Sequence, residues 1–159
     1  MRKYLVGGNW KCNGTMDFAK KFPTEVLNKL KFDPSKVDVV VAPTALHIPI
    51  VQSVVGNNVN VATQNLSLTG DGAFTGELSA AMIKDAGIKW TLTGHSERRT
   101  LYGESDEDVA KKTKAALDAG FSVLACIGEL KEEREGGITK EVNERQLNAI
   151  KAECDDWSN

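Results

Sequence analysis

Cysteine is scarce in this chain and poorly placed for cross-linking. Cys12, Cys126 and Cys154 are odd in number and form no C-x-x-C pair. That argues against a disulfide framework and for a reducing compartment, hence a cytoplasmic location. An excess of charge of one sign is also missing: 20 Lys+Arg face 22 Asp+Glu, a formal net charge of −2. Such balance gives no electrostatic reason to expect nucleic acid or an anionic membrane as a partner. The apolar run within Met1–Lys11 is too short for a secretory leader. A membrane-spanning run is lacking too. Residues 39–70 hold no Asp, Glu, Lys or Arg, yet Pro43, Pro49, Asn57, Asn58, Asn60, Gln64 and Asn65 interrupt them. No window of ~18 apolar residues remains, so buried protein interior accounts for the missing charges. What is left, at 159 residues with 41% hydrophobic and 26% charged, has the composition of one ordinary globular domain.

Short β-branched runs alternate with longer segments of helical character. Strands are predicted over 4–10, 37–42, 59–63, 89–93 and 121–127. Several, such as Val39-Val40-Val41 and Val123-Leu124-Ala125-Cys126-Ile127, are continuously apolar, as parallel strands covered on both faces require. Ser105-Asp106-Glu107-Asp108 reads as a capped helix start, with the helix running to about Ala119 and stopping at Gly120. The first helix, about Asp17 to Leu30, is predicted to bury Phe22, Val26 and Leu30, with a kink or restart at Pro23. The last is predicted to bury a stripe of Leu147, Ile150, Cys154 and Trp157. Five βα units mean an α/β protein with a parallel sheet and right-handed crossovers. Pattern alone leaves two architectures open. One is a complete five-stranded doubly wound sheet, which suits the length. The other is the first five units of an eight-unit barrel, which needs ~250 residues.

In either fold the chemistry belongs at the carboxyl ends of the strands. Gly7-Gly8-Asn9-Trp10-Lys11-Cys12-Asn13-Gly14 follows the first strand. It lacks the G-x-G-x-x-G spacing of a dinucleotide loop. Lys11 is then either a solvated surface charge or a fixed cation for an anionic substrate. Gly94-His95-Ser96-Glu97-Arg98-Arg99 follows the fourth strand, at a helix start. Such a site disfavours an imidazolium, so His95 is expected to act as a neutral donor able to polarise a carbonyl. Glu97, Arg98 and Arg99 read equally well as a solvated charge run. The glycine-rich stretch Gln64–Glu77 is either a flexible surface loop or an arm that buries Phe74 and Thr75 in a partner subunit. Cys126 reads as a small core residue, Lys131–Glu135 as a helix surface, and His47 as structural.

Taken in order, Gly8-Asn9-Trp10-Lys11, Ala42-Pro43, Gly72-Ala73-Phe74-Thr75-Gly76-Glu77, Gly94-His95-Ser96-Glu97-Arg98-Arg99 and Cys126-Ile127-Gly128-Glu129 closely resemble the triosephosphate isomerase family. The resemblance runs from Met1 to the end of the chain. It implies an α/β fold of the (β/α)8 TIM-barrel type, with residues 1–159 a single, incomplete domain holding the first five βα units. It implies a homodimer that interconverts dihydroxyacetone phosphate and glyceraldehyde 3-phosphate, a step of glycolysis and gluconeogenesis, with no metal or organic cofactor. By this likeness His95 is the neutral electrophile that shuttles protons between the substrate oxygens. Lys11 offsets phosphate and enediolate charge, Asn9 hydrogen-bonds substrate, and Glu97 orders the polar network near that lysine. Cys126 packs near the catalytic base. Cys12, Asn13, Phe74, Thr75, Glu77 and Arg98 fall at the dimer interface.

The chain also departs from the family pattern. The family's catalytic glutamate after strand six, its mobile lid and its phosphate-binding glycines after strands seven and eight have no counterpart before Asn159. The fragment alone is therefore expected to be inactive, completed by a C-terminal segment from a longer product or from a complementing fragment. Cys12 stands where methionine is common, and Thr93 where a bulkier aliphatic is usual. Two readings without catalysis stand beside this one: a flavodoxin-like domain binding a phosphorylated ligand, and an interaction module built on the Gly70–Glu77 loop.

Overall fold

The computed structural model describes residues 2–154 and 157. The chain divides into two compact units. One is the chain up to Gln64 with Ile83–Thr91, and the other is Asn65–Met82 with the chain from Leu92 onward.

The first unit holds β1 (Tyr4–Asn9), α1 (Met16–Glu25), β2 (Val37–Ala42), α2 (Ile48–Val54), β3 (Val59–Thr63) and the start of β4 (Trp90–Thr93). β1 pairs with β2, β2 with β3, and β3 with the start of β4, all in parallel. Val39–Ala42, Val59, Val61 and Ala62 are buried. The strands of the charge-free stretch are therefore core, as its composition implied, while Leu46, Pro49, Asn57, Asn58 and Leu68 between or after them are exposed. A buried hydroxyl pair, Thr63 Oγ1 donating to Thr91 Oγ1 at 2.7 Å, ties β3 to β4 without leaving either group unsatisfied.

The first helix departs from its expected limits. Thr15 caps α1 by accepting the Phe18 N–H. The helix continues through Pro23 and ends at Glu25, and a separate 3-10 turn follows over Leu27–Lys29. Its buried residues are Ala19 and Pro23, with Leu27 in the turn, while Val26 and Leu30 are exposed. The aromatic residues turn elsewhere. Phe18 and Phe22 stack with centroids 5.1 Å apart, and both meet the Trp10 ring edge-on. Aromatic pairing thus takes the face that the 3.6-residue period assigned to the core.

The second unit contains the end of β4, α4 (Ser96–Tyr102), α5 (Asp106–Asp118), β5 (Ser122–Ala125), α6 (Lys131–Glu135) and α7 (Thr139–Glu153), while α3 (Ala80–Asp85) runs from this unit into the first. A full capping box between Ser105 and Asp108 starts α5, and Gly120 at φ 86 follows it. α5 packs on α7 through Val109, Ile150 and Cys154. The buried stripe of α7 is Val142, Gln146 and Ile150, and Leu147 and Trp157 are exposed. The expected stripe was one position out of phase at Leu147. It also ran past the helix, which ends at Glu153.

The strand order is β1-β2-β3-β4-β5, without a reversal. A doubly wound sheet must reverse its order at a switch point, so that alternative falls. Sequential parallel strands with intervening helices are the first five βα units of a TIM barrel.

Candidate functional site

In the first unit the turn after β1 holds two of the expected site residues together. Asn9 Oδ1 accepts the Lys11 backbone N–H at 2.8 Å. Lys11 is the one described non-glycine residue at positive φ, 53°, a conformation that costs an L-residue about 1–2 kcal/mol. What holds it there escaped sequence reading. Gln64 Nε2 donates to the Lys11 carbonyl at 2.8 Å and to the Ala42 carbonyl at 2.9 Å, pinning the turn to the end of β2. A polar amide directly after a strand end was the available signal. Cys12 and Asn13 are exposed beyond it, and Asn13 Nδ2 donates to the Trp10 carbonyl at 3.0 Å.

In the second unit His95 is the N-cap of α4, and its Nδ1 accepts the Glu97 N–H at 3.2 Å. An accepting Nδ1 puts the ring proton of a neutral imidazole on Nε2. The Glu97 carboxylate lies 3.5 Å from the same nitrogen, too far for a strong hydrogen bond. The residue before the histidine admits no side chain. Gly94 sits at φ 65, and a Cβ there would collide with Val109. Gly94→Ala is expected to cost on the order of 2–5 kcal/mol, from left-handed strain plus overpacking. Urea unfolding midpoints check it. An unchanged midpoint would mean that α5 yields freely at Val109.

Within the Glu97-Arg98-Arg99 run the Glu97 side chain is 45% exposed, but the two arginines are not a solvated face. Arg98 pairs with Glu104 and lies over the Tyr102 ring at 4.8 Å. The Arg99 side chain is only 10% exposed and has three acceptors. Lys112 Nζ donates to Glu104 Oε1 at 2.6 Å and to Asn65 Oδ1 at 3.2 Å, and both members of that ion pair are 8% exposed. Burial pushes the Glu104 carboxyl up, but the Lys112 and Arg98 hydrogen bonds outweigh it and hold the group below the ordinary carboxylate range. Past β5, Gln146 grips Gly128 by both its N–H and its carbonyl. Backbone N–H, Arg134 and Asn143 bonds hold the adjacent Glu129 down to about 2. A cavity of about 610 Å³ beside α4 is lined by Ser96, Arg99, Glu104, Asp106, Arg145 and Gln146 among others, but not by His95.

The structure places the remaining expected residues on the surface. Phe74, Thr75 and Glu77 are exposed within a loop without helix or strand, whose base is closed by Ser67 N–H to Leu78 carbonyl and Ser79 to Asp71. His47 is buried, with Thr44 Oγ1 at 2.9 Å from its Nδ1. Burial raises the Cys126 thiol, which suits a packing residue. Among the described residues no group of three His, Cys, Asp or Glu is arranged to hold a metal ion. No described helix is long and apolar enough to cross a membrane.

Comparison with known proteins adds a family. A family model described as "Triosephosphate isomerase" matches residues 4–159. A triosephosphate isomerase of Coprinopsis cinerea is 51% identical over 99% of the chain, and one of Neurospora crassa is 48% identical over 99%. A chloroplastic triosephosphate isomerase of Fragaria ananassa is 46% identical. The chain spans 63% of the length of each fungal relative and 49% of the plant one.

Proposed function

Since the chain belongs to the triosephosphate isomerase family, we propose that the full-length protein carrying this sequence interconverts dihydroxyacetone phosphate and D-glyceraldehyde 3-phosphate. The observation that carries this reading is the His95 ring. With Nδ1 occupied by the Glu97 N–H, its Nε2–H is the group left to meet a substrate oxygen. Triosephosphate isomerase is itself the standing example of a neutral histidine working beside a glutamate base. The reaction needs a carboxylate to take the proton from the carbon beside the carbonyl. The C–H electron pair becomes the C=C bond, and the carbonyl pair moves onto oxygen. His95 donates Nε2–H to that oxygen and recovers a proton from the neighbouring hydroxyl. The protonated carboxyl then gives its proton to the former carbonyl carbon as the C=C pair moves onto it and the neighbouring oxygen forms the new C=O, so no acid or base is consumed. Lys11 supplies a fixed positive charge for the phosphate and the enediolate, Asn9 a hydrogen bond to substrate, and Glu97 order in the polar network. The base, the lid and the phosphate-binding glycines belong to the part of the family pattern outside residues 1–159. No metal or organic cofactor enters the scheme. The three thiols, free in the structure, support a reducing, cytosolic setting.

The test is direct. Given D-glyceraldehyde 3-phosphate without added metal, the full-length protein is expected to form dihydroxyacetone phosphate, read by a coupled reductase. Absence of product from folded protein would overturn the proposal.

A homodimer belongs to the same reading. The exposed Phe74–Thr75–Glu77 arm would reach the Cys12–Asn13 turn of a second copy, with Arg98 beside the contact. A bulky maleimide on Cys12, in a background with Cys126 and Cys154 replaced, is then expected to shift sedimentation from dimer toward monomer. A dimer unchanged after mass-verified labelling would place Cys12 outside the interface.

A further inference from the structure

Arg99 is the residue of the charged run that the proposed chemistry leaves unused. Its side chain is only 10% exposed, and each of its nitrogens is committed. Nε donates to the Gly94 carbonyl at 2.8 Å, one terminal nitrogen to the Cys126 carbonyl at 3.2 Å, and the other to Asp106 Oδ1 at 2.7 Å. Asp106 is fixed from its other side by Arg145 Nε at 2.8 Å from Oδ2. The guanidinium is thus aimed by a carboxylate and reads two backbone carbonyls. One is the peptide immediately before His95. The other follows β5, and the N–H of that same Cys126 donates to the Thr93 carbonyl at 2.9 Å. Burial raises the Cys126 thiol against the opposing charge of the Arg99 guanidinium. The guanidinium's partner there is the carbonyl.

We infer that Arg99 is a positioning residue for His95: its planar fork fixes the Gly94 carbonyl and thereby the direction of the His95 ring. The inference rests on the reading of His95 as the electrophile. Gly94 needs such a hold. A glycine at φ 65 has wide backbone freedom, and the ring it carries makes one backbone hydrogen bond, at the longer distance of 3.2 Å. A lysine cannot replace the fork. Its compact ammonium keeps the charge but cannot span two carbonyls and a carboxylate in one plane. The consequence for catalysis is large, because a misplacement of about 1 Å costs about 100-fold in rate.

The experiment uses the full-length protein. Arg99→Lys is expected to lower kcat by about 10- to 100-fold with KM little changed, since no substrate contact is lost. It is also expected to shift and broaden the His95 Nε2–H resonance in 15N-labelled protein. Asp106→Asn, which removes only the aiming carboxylate charge, is expected to move both readouts in the same direction by less. Added to His95→Gln, Arg99→Lys is expected to cost less than about 3-fold, because the two act through one ring. Unmoved His95 resonances, or equal losses in both backgrounds, would overturn the inference. If His95→Gln alone leaves kcat intact, the functional reading fails instead, and the resonances still report whether Arg99 orients the ring.

Discussion

A polypeptide restricted to residues 1–159 is expected to catalyse no isomerisation above the uncatalysed rate. The residues it carries are those proposed to polarise a carbonyl and offset charge, and none of the matched ones is proposed to remove a proton from carbon. A positioned general base is worth about 10²–10⁴-fold. Losing the lid as well admits water to a reactive intermediate. The same polypeptide presents β1 at one end of the strand order, with Tyr4, Leu5 and Val6 exposed by 78%, 47% and 57%. An apolar strand edge of that kind invites pairing with another chain, so light scattering is expected to show self-association. Measurable turnover by purified 1–159, sensitive to His95→Gln, would contradict the division of labour proposed for the site.

Glu104→Leu is expected to destabilise the full-length protein by about 3–5 kcal/mol, the cost of stripping one partner from a buried ion pair. Glu104 Oε1 takes both Arg98 and Lys112. Without it the Lys112 ammonium, 8% exposed, is left with the Asn65 Oδ1 hydrogen bond and no carboxylate in this network. Adding Lys112→Met is expected to restore much of the loss, since replacing a whole buried pair with apolar groups is often neutral. The pH dependence has a definite sign. The folded-state carboxyl of Glu104 lies below its unfolded value near 4.5. Its contribution is therefore present above pH 4.5 and is lost as pH falls through the depressed value. The stability of Glu104→Leu should fall less steeply on acidification than that of the native protein. Glu129, held to about 2, adds to the native acid limb in the same sense. A parallel acid limb in the variant would remove Glu104 from this account.

The sequence showed some of this and hid the rest for physical reasons. β2 and β3 have the predicted limits because a run of buried β-branched residues has no other place to go. The Ser105 cap was legible because its partner, Asp108, is three residues away. The α1 limits were not, because the expected stripe of Phe22, Val26 and Leu30 is not the buried face: Phe22 meets Trp10, and Val26 and Leu30 are exposed. At the proposed site, Lys11 and His95 were singled out from their places after strands, and Asn9 and Glu97 from the family likeness. Gln64, Arg99 and the Glu104–Lys112 pair were missed. Their partners are backbone carbonyls or side chains brought near by folding, and nothing local distinguishes a buried guanidinium from a solvated one.

The most direct test of the central claim is the kcat of His95→Gln in the full-length protein, measured beside the native protein with both triose phosphates. Glutamine keeps a polar group at the N-cap but cannot exchange a ring proton between two substrate oxygens. Removal of one such donor costs about 10²–10³-fold. The account predicts a loss of that size in kcat with KM little changed. A kcat within about 3-fold of native, in protein that unfolds at the native midpoint, would contradict it.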